Sequence, residues 1–175
     1  MHHIVSFTAG LCLTALLGSA ALAQQPANAP GGGTPEAIPF DIPYGMSITE
    51  DKAKQALAAA EAEAKKRNWK MNIAVVDTNG ELVHFLRMDG SQIASGTISQ
   101  GKARTAARYR RATQVFYNIF EGGHTYISTL DPTLVASPGG FPLLEGGKII
   151  GAIGCSGGTA DQDAAVCKAG ADTIK

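Results

Sequence analysis

The dipeptide Asn79-Gly80 constrains the fold more than any other short feature of this chain. It lies between two β-prone runs, Met71 to Asp77 and Glu81 to Met88. A type I′ hairpin turn needs positive φ at both central residues, which Asn-Gly accepts at little cost. With these two as the loop, Val76 faces Val83, Val75 faces His84, Ile73 faces Leu86 and Met71 faces Met88. Met71, Ile73, Val75, His84, Leu86 and Met88 then share one face of the hairpin, with His84 its one ionisable group.

The rest of the chain is organised around that hairpin. Ser47 followed by Glu50 reads as a capping box. It opens a helix to about Arg67 with Ala53, Ala56, Leu57, Ala60 and Ala64 on its core face. After Asp89-Gly90 the pattern predicts a helix from Ile93 to Tyr109 and a shorter one from Gln114 to Glu121, stopped by Gly122-Gly123. Residues 124–140 read as a long loop with one helical turn at Tyr126 to Leu130. Phe141 to Leu144, Glu145-Gly146-Gly147-Lys148 and Ile149 to Cys155 predict a second hairpin. A last helix runs from Asp161 to about Ile174. The order α-ββ-αα-ββ-α predicts an α+β domain over residues 47–175, an antiparallel sheet with helices packed on it.

Ahead of that domain the composition changes twice. Residues 4–22 are almost wholly apolar and small, and Ala21-Leu22-Ala23 supplies a small-x-small cleavage site. Residues 1–23 therefore read as a secretory signal peptide, which places the protein in the periplasm or outside the cell. Residues 24–46 hold five of the eight prolines and the run Gly31-Gly32-Gly33, a linker. Its later part, Ile38 to Met46, is apolar and held extended by proline. It suits either an arm lying across a folded domain or a spacer. The formal net charge is zero, from 15 basic and 15 acidic side chains. That balance excludes the electrostatic footprint of a nucleic-acid or membrane-surface protein, and no membrane span is expected once residues 1–23 are removed.

Few groups of the mature chain carry chemistry. Its two histidines, His84 and His124, and its two cysteines, Cys155 and Cys167, do not form a zinc pattern. In an exported chain the cysteines favour a disulfide between the last strand and the last helix, with two buried thiols as the alternative. Gly151-Ala152-Ile153-Gly154 followed by Ser156-Gly157-Gly158 lacks the spacing of a dinucleotide loop and reads as a tight strand-to-helix connection. It could still bring backbone amides to a ligand, with Ser156 or Thr159 as the helix cap. Lys102 to Arg111 is locally basic, with Arg104, Arg108 and Arg111 on one helical face. This is either a solvated face paired with acids such as Glu61 and Glu63, or a cationic rim for a carboxylate ligand in which Lys102 and Arg104 lead.

Four motifs in order resemble one family. They are Ile73-Ala74-Val75-Val76-Asp77 with Gly80, Arg87-Met88-Asp89-Gly90, Gly101-Lys102-Ala103-Arg104-Thr105-Ala106, and Gly151 to Gly158 with Gln162-Asp163. Together they resemble the GlcG/HbpS family, also called the haem-degrading domain family, over residues 47–175. The resemblance implies a profilin-like α+β layout, assembly into dimers or larger rings, haem binding in some members, and processing of haem or another tetrapyrrole. No axial ligand transfers by motif, and His84 stands where many relatives have a small apolar residue.

Haem requires an apolar pocket, axial ligands and cations for its propionates. His124, His84, Tyr126 and Met88 are the available ligands, and Lys102, Arg104 and Arg108 the available cations. His124 ranks first for iron because a loop ligand can be placed over a pocket without burying an unpaired imidazole. His84 ranks second. The leading expectation is an exported haem-binding protein, with haem degradation as a further activity. The alternative is a non-catalytic oligomeric module that binds a small carboxylate or a partner protein. A hydrolytic or redox enzyme ranks last, since neither a triad nor a metal cluster is present.

Overall fold

Helix α1 (Glu50–Lys66) starts where a side chain can close its first turn, and that side chain is Thr49. Its hydroxyl accepts from the Lys52 amide, while Ser47, the expected cap, pairs its hydroxyl with that of Thr78. The computed structural model describes residue 38 and residues 40–175. The expected signal peptide and most of the expected linker lie outside the described residues. Ala53, Ala56, Leu57, Ala60 and Ala64 are all buried, as the spacing predicts.

Strands β1 (Asn72–Val76) and β2 (Leu82–Arg87) form the predicted hairpin, but the turn between them differs. Asp77 closes it: its amide donates to the Glu81 carbonyl, and its carboxylate accepts from the amides of Asn79 and Glu81. The Gly80 amide returns to the Asp77 carbonyl, and Gly80 takes φ +89°. This is a three-residue loop with a left-handed glycine, stabilised by an Asx turn, in place of the two-residue turn. Val76 consequently pairs with Leu82, and a bulge next to Val75 restores the predicted pairs Val75–His84 and Ile73–Leu86.

Helix α2 (Ser95–Tyr109), helix α3 (Gln114–Glu121) and a 3-10 turn (Thr125–Thr129) follow. Strands β3 (Gly140–Glu145) and β4 (Lys148–Ser156) form the second hairpin, and α4 (Ala160–Ala171) closes the domain. The sheet is antiparallel with strand order β2-β1-β4-β3. Met71, Ile73, Val75, Ile153 and Cys155 face α1 and α4 on one side. Ala74, Val76 and Ala152 face Ala103, Ala106 and Ala107 of α2 on the other.

The glycine-rich strand β4 explains how α2 comes so close. A Cβ on Gly154 would stand 2.1 Å from the Ser99 carbonyl oxygen and 2.5 Å from the Ala103 nitrogen. Helix backbone thus occupies the space that the sequence left open for a ligand. Thr159, one of the two expected caps, closes α4 with Gln162 as a reciprocal capping box.

Candidate functional site

Residues 40–46 lie along their own domain. The Gly45 amide donates to the Ile149 carbonyl, and the Ile149 amide donates to that of Pro43. The arm thereby extends the sheet beside β4, beyond the point where β1 ends. Tyr44 anchors it on α2 by donating its hydroxyl to the carbonyls of Ala107 and Arg108, both 3.0 Å away. These belong to the last turn of α2, where carbonyls lack the regular amide partner four residues on.

The end of α2 then sets the direction of two arginines. Arg110 is left-handed, φ 56° and ψ 31°, and the Arg111 amide reaches back to the Ala106 carbonyl. Such a closure usually uses glycine. Arg110 donates to the Ile42 carbonyl and lies over the Tyr44 ring. Arg111 sits 3.4 Å from the centre of the Phe40 ring and 5.0 Å from that of Phe116. Arm and helix end hold one another through cation–π contacts and backbone acceptors.

Between them opens a cavity of about 580 Å³. Phe40 and Ile42 of the arm, Phe141, Pro142 and Leu144 of β3, and Ile174 beyond α4 supply its apolar walls. Arg110 and Arg111 supply charge. Lys168, Asp172 and Lys175 also line it, and Lys168 and Asp172 pair with each other at 2.7 Å. No acidic side chain of the described residues lies within ion-pair distance of Arg110 or Arg111. Burial, and then the neighbouring charge of Arg110, lowers the Arg111 pKa from its ordinary value. Two adjacent guanidinium groups without a counter-ion, partly withdrawn from water, favour an anion.

The groups singled out in the sequence lie elsewhere and do not converge. His124 is exposed at the start of the 3-10 turn, its ring 6.4 Å from that of Tyr126, itself exposed. His84 is half-buried on β2, the sheet edge opposite β3. Met88 borders a separate cleft of about 360 Å³ with charged walls from Glu61, Lys65, Lys70 and Asp89. Lys102 is corrected outright as a rim cation. It is 1% exposed, donating to Asp163 at 2.6 Å and to the Cys155 carbonyl at 3.2 Å. The Asp163 carboxylate also accepts from the Gly158 amide. Burial pushes the Lys102 pKa down and the Asp163 pKa up, while each partner's charge opposes the shift.

Arg104 packs against the hairpin turn and donates to the Gly80 carbonyl, and Arg108 pairs with Asp131 at 3.3 Å. Glu61 and Glu63, the expected partners of this basic run, bind Lys65 of their own helix and Arg67 at its end instead. Cys155 and Cys167 form the disulfide that an exported chain favours. The basic run and the apolar arm were both visible in the sequence. Their meeting was not, because it depends on where α2 ends.

The model of the family described as "Haem degrading protein HbpS-like" matches residues 48–172. The chain belongs to this family. It is 43% identical over 109 residues to Protein GlcG of Escherichia coli strain K12, covering 62% of this chain and 81% of GlcG. A double mutant of Streptomyces reticuli HbpS has a similar structure, with TM-score 0.69 and 26% identity over 83% of this chain and 99% of that one. A solved PduOC:heme complex has TM-score 0.69 and 25% identity, covering 74% of this chain and 96% of that one. The HbpS-like fold, four helices with a four-stranded antiparallel sheet, is thus shared.

Haem, which the family's description names, sets three demands on a site: apolar contact for the ring, cations for the propionates and a donor for iron. The arm groove meets the first two. It does not meet the third, since among the described residues no histidine, methionine, cysteine or tyrosine lines it. Among the described residues no group of three or more histidine, cysteine or acidic side chains could hold a metal ion, and no helix is long and apolar enough to cross a membrane.

Proposed function

We propose that this chain is an exported binding protein for haem or a closely similar tetrapyrrole, received in the groove between the arm, β3 and the end of α4. The observation that carries this reading is the adjacency of Arg110 and Arg111, without acidic partners among the described residues, to an apolar cavity of ligand size. The likeness to a relative solved with haem supports the ligand class. The apolar leader and the Cys155–Cys167 bridge support export to an oxidising compartment. Assembly into a homo-oligomer, which the family resemblance implies, belongs to the same proposal and is read by size-exclusion chromatography.

Titrating the purified protein with haemin tests the ligand. A saturable Soret shift is expected, weakened about tenfold in Arg111→Ala, the scale of one charge-assisted contact. The absence of any shift sinks the reading. A second reading, a non-catalytic module for a small carboxylate, is favoured by the lack of an iron donor among the described residues that line the groove. The two readings part at the metal.

A further inference from the structure

We infer that the groove selects its ligand by apolar body and carboxylate charge and is indifferent to a bound metal. Its class is apolar carboxylates, with metal-free porphyrins and long-chain fatty acids beside haem. This inference rests on the proposed use of the arm groove as the binding site.

Three observations carry it. Among the described residues the cavity walls offer carbon, cations and one carboxylate, Asp172, which is already paired with Lys168, and no histidine, methionine, cysteine or tyrosine to ligate iron. The candidate donors lie away from those walls. His84 is on β2 while the groove wall is β3, and the sheet order places three strand spacings between them, about 14 Å. His124 stands in an exposed turn packed on α3. Finally, the charge in the groove is uncompensated where it matters. Lys168 is neutralised by Asp172, whereas Arg110 and Arg111 each spend one donor on a backbone oxygen and carry no acid among the described residues. A guanidinium has five N–H donors, so most remain for a carboxylate. Two adjacent guanidiniums suit two carboxylates or one held in bidentate fashion.

The experiment compares haemin, metal-free protoporphyrin IX, its dimethyl ester and a long-chain fatty acid on the purified protein, by absorbance, fluorescence quenching and competition. Haemin and protoporphyrin IX are expected to bind within about threefold of each other. The fatty acid is expected to displace both, and the ester to bind at least about tenfold more weakly. His84→Ala and His124→Ala are expected to leave these affinities unchanged. Arg110→Gln with Arg111→Gln is expected to abolish the preference for acid over ester, which a merely structural role would not do. The ester comparison needs no variant, so it stands even if the double substitution unfolds the arm.

If haemin binds and protoporphyrin IX does not, or if a histidine substitution removes haemin binding, the inference falls and the haem-binding reading survives. Ester bound as tightly as acid also overturns it. If none of the four compounds binds, both fall.

Discussion

Helix α2 carries cations in two contrasting settings, one in its middle and one just past its end. Lys102 is enclosed by protein, and the fold supplies its counter-ion, Asp163, together with the Cys155 carbonyl. Arg110 and Arg111 are only partly withdrawn from water, and no described residue supplies an acid. A buried charge fully matched inside the fold belongs to the structure. A half-buried charge left unmatched beside an apolar cavity has its free energy still to gain from something that binds. Both lie within the run that looked uniformly basic in the sequence, so composition alone could not separate them.

The sharpest way to break this comparison is Lys102→Ala. It leaves Asp163 buried without its cation, and such a loss costs about 3–5 kcal/mol. Urea denaturation should show that drop, and Lys102→Met with Asp163→Leu should recover most of it. A drop below about 1 kcal/mol would mean that the pair is not a structural device and that the contrast with the arginines fails.

Next in size is the bridge that ties the same corner together. Cys155 and Cys167 are 12 residues apart in sequence, and closing a loop of that length is worth about 3 kcal/mol. Replacing both by alanine should lower stability by about that amount and leave protoporphyrin binding intact, because neither lines the groove. Loss of binding in the folded variant would show that the two regions are not independent.

Arg111→Ala should do the reverse: a stability change of about 1 kcal/mol or less, typical of partly exposed charge contacts, against a clear loss of ligand. Thermal melts beside the haemin titration check this. A large destabilisation would make Arg111 a clamp for the arm rather than a recognition group.

The sequence made the fold legible through local chemistry. Alanine spacing in α1 identified its core face. The two hairpins were visible from Asn79-Gly80 and Gly146-Gly147, and the helix breaks from Gly122-Gly123. Details were lost where a side chain competed for the backbone. Asp77 accepts two amides and converts the turn, and Thr49 supplants Ser47 as a cap. The candidate site was far less legible. His84, His124 and Met88 stand out by residue type, yet strand order and loop position disperse them. The arm groove combines elements more than 100 residues apart, Phe40 and Ile174 among them. Its charge depends on a left-handed Arg110, a conformation that nothing in the local sequence announces.

A third setting on α2, that of Arg108, lies between the two extremes and gives the smallest effect. Arg108, well exposed, pairs with Asp131 at 3.3 Å. Asp131 accepts from the Thr133 hydroxyl and amide, and those bonds, followed by the Arg108 charge, hold its pKa below the ordinary 3.8. A carboxylate with a depressed folded pKa binds fewer protons folded than unfolded between its two pKa values. Its stabilisation is therefore complete above about pH 4 and is lost as pH falls through the folded value. Hydrogen exchange of the loop preceding β3 should thus rise below that pH in the wild type. Asp131→Asn should raise it at neutral pH and remove this pH dependence. Because the pair is solvent-screened, global stability should shift by only a few tenths of a kcal/mol. If protoporphyrin binding fell along with the Asp131 titration, the loop would be coupled to the groove, and Arg108 would join Arg110 and Arg111 as a group that acts on the ligand.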